Sequence, residues 1–416
     1  MRLRHGFLPP GISRMSGDIF QAFDQFPVVL KQTLVDALPP ALQPLASIVL
    51  IVTPIIAVFG VLFAVGTVFE RKGLGRIQNR RGPNRVGIPF TDFTLAGFGQ
   101  PLADGIKALI KEDFIPHAAD RLVHFLAPVV MMVPVLLTYA VMPFGRNMVP
   151  TELEAGLLYF FAVGAGTELA VFMAGWSSRN KYSLLGALRA IAQMLSYEVP
   201  LILSAITVVM IAGTLSPAQI VDAQAGYTGW LPNWFVFTPW GFAGFILFSI
   251  AGIAESNRSP FDLPEGESEI VAGYFIEYSG FKFALFFMAE YFGMFAMSGM
   301  AATLFLGGWH APLPWLAWLP SWGWFLFKVV AFLFLFIWLR GTLPRLRMDQ
   351  LMSFAWKFMI PLALINLVAA ALWHLMGPGL GRWVICSAVI FGPYWLLGNA
   401  LRAGKQLGKR TYRYAD

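Results

Sequence analysis

The chain has 416 residues, 57% of them hydrophobic and only 13% charged, with a mean hydropathy of +0.65. A soluble domain carries about 25% charged residues, so this composition excludes a large water-soluble fold and fits a surface that faces lipid. The net charge of +7, which in a soluble chain would point to nucleic acid, is confined to particular loops and is read as membrane orientation. The single cysteine, Cys386, excludes an intrachain disulfide framework and any Cys-ligated cluster or zinc site. The five histidines show no ligand spacing, so no haem or metal is supported.

Residues 1–45 form an N-terminal extension. Met1 to Arg14 is basic, but no apolar stretch follows it directly, so it is not a clear signal peptide, and Met15 offers an alternative start. Ile19, Phe20, Phe23, Phe26, Leu30 and Leu34 recur at helical spacing, which predicts an amphipathic helix that is surface-lying or poorly ordered. A helix needs about 20 apolar residues to cross a bilayer. Nine such runs follow, at 46–69, 124–143, 156–175, 195–214, 237–255, 281–306, 322–340, 356–376 and 382–401. The expected fold is an all-α membrane protein: about nine transmembrane helices in a bundle over 46–401, amphipathic helices on the inner face, and a basic cytoplasmic tail at 402–416. With the N-terminus outside, the inner segments 70–123, 176–194, 256–282, 340–357 and 402–416 hold 9, 3, 2, 4 and 5 Lys plus Arg, or 23 of the 30. The outward loops 215–236 and 307–321 hold none, which is the positive-inside signature of an N-out, C-in chain. Trp230, Trp234, Trp240, Trp309, Trp315, Trp318, Trp322 and Trp324, in or beside those loops, read as an interfacial belt.

The inner loop after the first span opens on Glu70, Arg71 and Lys72 and continues through Arg76, Arg80, Arg81 and Arg85 around a Gly82-Pro83-Asn84 turn signal. It reads either as positive-inside anchoring against anionic lipid or as a docking site for a partner domain. Leu95, Phe98, Leu102, Ile106, Leu109 and Ile110 then repeat at helical spacing, with Gln100, Asp104, Lys107 and Lys111 opposite. Such a helix can lie in the interface plane or form one lip of a lateral opening. A second helix with a mixed face carries Leu184, Leu188, Ile191 and Leu195 against Arg189, Gln193 and Glu198.

Acids inside the membrane are the sharpest signal. Glu168 lies near the middle of the third span, Glu290 about 14 Å deep in the sixth at helical rise, and Glu198 and Glu255 near the inner ends of the fourth and fifth. A carboxylate at that depth costs about 3 kcal/mol or more to insert, so these groups face the bundle interior. They serve either a proton path or helix–helix hydrogen bonding. Lys328 lies about 9 Å from the outer end of its helix; it snorkels outward or faces a buried carboxylate. The loop after the fifth span holds Glu255, Asp262, Glu265, Glu267, Glu269 and Glu277 against one basic residue, Arg258. Phe261, Leu263, Ile270, Val271, Tyr274 and Phe275 interleave with these acids and favour packing over a solvated loop. Packed carboxylates repel, so some should hold protons near neutral pH and respond to a nearby change of charge.

Ala254 to Glu277 closely resembles the acidic loop of the H subunit family of proton-pumping NADH:quinone oxidoreductases, respiratory complex I, whose mitochondrial equivalent is NADH dehydrogenase subunit 1. The same family is resembled by Glu70-Arg71-Lys72 with Arg81-Gly82-Pro83-Asn84, by Gln100 to Asp104 with Lys107, and by Lys181 to Ala190 leading to Ser196-Tyr197-Glu198. Phe287 to Tyr291 and the inner loop from Arg340 to Trp356 complete it, so that it covers about residues 46 to 400. The resemblance implies a subunit that joins the membrane arm to the hydrophilic arm and forms most of the quinone access chamber. It implies an acidic proton path through Glu198, Glu255, Asp262, Glu265, Glu267 and Glu290, with Arg258 as charge partner; Glu168 and Lys328 join that path from depth alone. Glu70, Arg71, Lys72, Arg80, Arg81, Arg85, Asp104, Arg345 and Arg258 itself are then expected at the chamber or the subunit junction. It further implies ubiquinone or menaquinone as substrate, NAD, FMN and iron–sulfur clusters in partner subunits, no cofactor in this chain alone, and a place in a bacterial cytoplasmic (inner) membrane. The alternatives are the related membrane subunit of an energy-converting hydrogenase, or a stand-alone cation/proton antiporter, for which no internal inverted repeat is seen.

Overall fold

The computed structural model describes residues 12–87, 94, 96–263, 272–377 and 379–403. In chain order its helices are α1 (Ile12–Asp36), α2 (Gln43–Ile77), α3 (Gln100–Ile110), α4 (Arg121–Thr138), α5 (Gly156–Gly164), α6 (Gly166–Ser177) and α7 (Lys181–Ala212). They continue as α8 (Pro217–Ala223), α9 (Pro239–Glu255), α10 (Gly280–Phe305), α11 (Ser321–Thr342), α12 (Met348–Phe354), α13 (Ile360–Leu375) and α14 (Leu380–Ala403). The strand content of the described residues is one short pairing in an outer loop, Tyr227 with Pro232 and Thr228 with Leu231.

Each of the nine expected spans is a helix. Eight are long and apolar enough to cross a bilayer, and α9, with 17 residues, is the short ninth. Three details differ from the sequence reading. The third span breaks at Ala165 into α5 and α6, because Gly164 and Gly166 flank that residue and glycine is a poor helix former. The helix with the mixed face and the fourth span are one 32-residue helix, α7, whose start is capped by the Asn180 side chain accepting from Tyr182 N. The eighth span enters the membrane through α12, joined to α13 by a π turn at Ala355–Met359.

The core lies where α7, α9, α10, α11 and α13 meet, around Trp240, Phe248, Phe292, Phe295, Phe305 and Phe325. A second cluster joins α4, α6 and α7, where Ala127, Ala170, Ala174, Ala187 and Ala190 let the backbones approach closely. Apolar side chains elsewhere turn outward. Leu102, Leu109 and Ile110 of α3 and Leu188 and Leu195 of α7 are exposed, while Gln193 of α7 is fully buried. The tryptophans divide: Trp230, Trp315 and Trp318 are exposed as an interfacial belt requires, but Trp234, Trp240, Trp309 and Trp324 are buried. The outer loops fold back over the helix ends and use those rings as packing.

Candidate functional site

At the C-terminal end of α9 the chain reverses through Ser256 and Asn257, the latter at φ 49°. Gln193 of α7 fixes this turn, its Nε2 donating to Ala254 O at 2.7 Å and Phe261 O at 2.6 Å. Phe261 and Leu263 are buried behind it, as the interleaved pattern predicts, and Tyr274 and Phe275 are buried further along the same loop. One helical turn beyond Gln193, Tyr197 donates from its hydroxyl to Leu351 O at 3.0 Å and ties α7 to α12.

The turn borders a cavity of about 60 Å³ lined by Thr138, Thr167, Glu255, Ser256, Asn257 and Glu290 among methionine and small apolar side chains. That volume holds a few waters, and its polar groups suit them. Glu290 accepts from the Tyr274 hydroxyl at 3.2 Å. Glu255 Oε2 and Glu168 Oε1 are buried without a protein hydrogen-bond partner. Glu168 occupies the first turn of α6, created by the break at Ala165. Glu255 lies close enough to Glu168 and Glu198 to feel the charge of each. Glu255 of α9 and Glu290 of α10 thus line one small cavity, with Glu168 of α6 and Glu198 of α7 within electrostatic reach of Glu255.

A second buried group stands beside the first. Glu70 of α2 accepts from Arg258 Nη1 at 3.4 Å and also from Arg340 and the Tyr291 hydroxyl. The Arg258 guanidinium lies 4.2 Å from the centre of the Tyr291 ring. A cavity of about 20 Å³ adjoins these four residues. An ion pair joins Arg258 to Glu70 of the first span. Arg340 is counted in the sequence only as one more inner-face cation, yet it completes this node. Consecutive residues serve the two spaces. Asn257 and Glu290 line the carboxyl cavity, and Arg258 and Tyr291 line the ion-pair cavity.

On the inner face, Arg71, Arg80, Arg81, Arg85, Asn84 and Gln100 surround a basin of about 690 Å³. Arg71 bonds Asp104 at 2.6 Å, which ties α2 to α3. Lys72 donates to Ala96 O and lies 5.3 Å from the Phe98 ring centre. Arg345 donates to Asp262 O and joins the loop before α12 to the acidic loop. Glu265 and Glu267 lie outside the described residues.

Lys328 is not brought to this region. Its Nζ donates to Leu306 O, Gly308 O and His310 O at 2.6, 2.7 and 2.7 Å and lies 4.2 Å from the Trp234 ring centre. All three ammonium protons are therefore committed to backbone carbonyls where α10 ends. In the same outer loop, burial and then the charges of Lys328 and Arg146 push the His310 imidazole down to about 4, so it is neutral at pH 7.

The family model described as NADH dehydrogenase matches residues 49–371. The chain is 47% identical over 356 residues to the H subunit of NADH-quinone oxidoreductase from Dehalococcoides mccartyi strain CBDB1, covering 84% of this chain and 95% of the relative. It is 47% identical over 317 residues to the protein of that name from Geobacillus kaustophilus, covering 76% of this chain and 91% of the relative. It is 45% identical over 341 residues to the protein of that name from Syntrophotalea carbinolica, covering 79% and 97%.

Proposed function

The chain belongs to the NADH dehydrogenase family, and from that premise we propose that it is the membrane subunit of a proton-translocating NADH:quinone oxidoreductase which shapes the quinone chamber and carries the acidic coupling path. It is a multi-pass membrane protein, with its seat in a bacterial cytoplasmic membrane. Ubiquinone or menaquinone is the substrate. Nicotinamide, flavin and iron–sulfur groups belong to partner subunits, and no complete active site resides in this chain.

The observation that carries this reading is the adjacency of the two buried spaces. The Glu70–Arg258–Arg340 node holds one acid between two guanidinium groups, so it is poised to respond to charge arriving from the inner side. Quinone reduction consumes two electrons and two protons, and the electrons come from partner subunits. A change of charge near the node is felt one residue away, at Asn257 and Glu290, in the carboxyl cavity. Neighbouring carboxyls in an apolar surround share protons rather than all ionising. Glu255, Glu290, Glu168 and Glu198 therefore exchange protons through the waters that the cavity admits. Asp262, Glu265 and Glu267 continue the path toward the inner face. Arg71, Lys72, Arg80, Arg81, Arg85, Asp104 and Arg345 hold the chamber floor and the junction with hydrophilic partners. Lys328, with its protons committed, is assigned to capping α10 rather than to the path.

Glu255→Gln in the assembled complex tests this reading. In membrane vesicles, NADH oxidation by an artificial acceptor should stay at the parent rate, because it needs only the partner subunits. Quinone reduction and the proton gradient should fall together by about tenfold or more, a barrier increase of about 1.4 kcal/mol. An assembled variant that pumps at full rate overturns it.

A further inference from the structure

Helix α1 precedes the residues matched by the family model and is not used by the path above. Its polar residues Asp24 and Gln25 contact the rest of the protein. Asp24 is 8% exposed, and one of its carboxylate oxygens, Oδ1, accepts from both the backbone N and the hydroxyl of Ser321, each at 2.6 Å. Ser321 is the first residue of α11, so the carboxylate occupies the position where a helix start favours an anion. Gln25 donates to Arg146 O at 3.3 Å and accepts from Asn147 Nδ2 at 3.4 Å. The Phe23 ring lies 6.3 Å from that of Trp322.

The apolar stripe faces away from the protein. Phe23, Phe26, Leu30 and Leu34 follow one another at three- and four-residue steps and are 56%, 57%, 46% and 47% exposed. A helix on a water-soluble surface has the opposite arrangement. The stripe runs on through exposed Leu38 and Leu42 into Leu45, Ile48, Val49 and Val52 of α2, a membrane span whose apolar stretch is hardly buried within the protein. The anchoring residues 146–147 and 321–322 lie at the outer ends of the bundle, in the neighbourhood of exposed Trp315 and Trp318. Interfacial tryptophans mark the depth of the headgroups. Continuity with a lipid-facing span and this depth select phospholipid acyl chains as the covering of the stripe.

We propose that α1 is a helix embedded in the outer leaflet, with its apolar stripe among acyl chains and its Asp24 pinned to the start of α11. The test uses the assembled complex in liposomes of phosphatidylethanolamine and phosphatidylglycerol. Benzoylphenylalanine replaces Phe26, Leu30 or Leu34 in separate variants, with Val61 of α2 as an exposed span position and Val28 as a half-buried α1 position one turn from Asp24. After illumination, mass spectrometry should find phospholipid adducts at Phe26, Leu30, Leu34 and Val61, and cross-links within the chain at Val28. Adducts to another polypeptide at the three stripe positions overturn the proposal, as does a lack of adducts there while Val61 yields them. In an Asp24→Leu background the helix should roll free, and Val28 should begin to yield phospholipid adducts. An unchanged pattern at Val28 overturns the pinning role of Asp24.

Discussion

Lys328 shows what depth in a span does and does not reveal. The sequence places a cation inside an apolar helix, and only the fold shows three carbonyls around it. Lys328→Met should leave those carbonyls unpaired and lower the stability of the complex by about 3 kcal/mol. Thermal unfolding of the purified complex checks this, and protons pumped per electron should be unchanged in molecules that remain folded. Loss of pumping at unchanged stability would return Lys328 to the proton path. The acids Glu198, Glu255 and Glu290 are legible because they stand in apolar or motif-bearing stretches. The node around Glu70 is not, because its partners are 188 and 270 residues away along the chain. Gln193 is visible only as one polar residue on a helix; that it grips the α9 turn depends on the packing of α7 against α9.

At the level of elements, the length of the apolar runs located the helices of the bundle, because 20 consecutive apolar residues have few other uses. It did not say which side of each helix meets protein. In α1 and α7 apolar side chains point outward while Asp24 and Gln193 are buried, since lipid rewards the first and internal hydrogen bonds hold the second. The break in the third span was readable in Gly164 and Gly166, but a length-based count passes over it. Close helix approach supplies a test at this scale. A Cβ on Gly186 of α7 would lie 2.5 Å from the Cα of Gly273, next to Tyr274, which bonds Glu290. Gly186→Ala should displace that segment at a cost of about 1–3 kcal/mol. Assembly should be reduced and quinone reductase activity per assembled complex should fall, as measured against the flavin content of the membranes. Parent-level activity in fully assembled variant complexes would show that the Tyr274–Glu290 contact is dispensable.

Across the whole molecule, charge is distributed by end: the outward loops 215–236 and 307–321 lack Lys and Arg, whereas the basin at the other end gathers four arginines. If that basin is the junction with hydrophilic partners, their attachment should weaken with salt, because the Debye length shortens from about 10 Å at 0.1 M to about 3 Å at 1 M. Arg81→Glu should lower the salt concentration at which NADH-oxidising activity leaves washed membranes; an unshifted release curve would place the junction elsewhere. The two central compartments also share a single partition, built from neighbouring residues of α10 and of the α9 turn. Successive helical residues differ in direction by about 100°, so a small roll of α10 moves Glu290 and Tyr291 in concert. A substitution that retunes one chamber therefore disturbs the other, and if the carboxyl cavity carries protons as proposed, a lineage adapting to a new quinone inherits a constraint on its proton wiring.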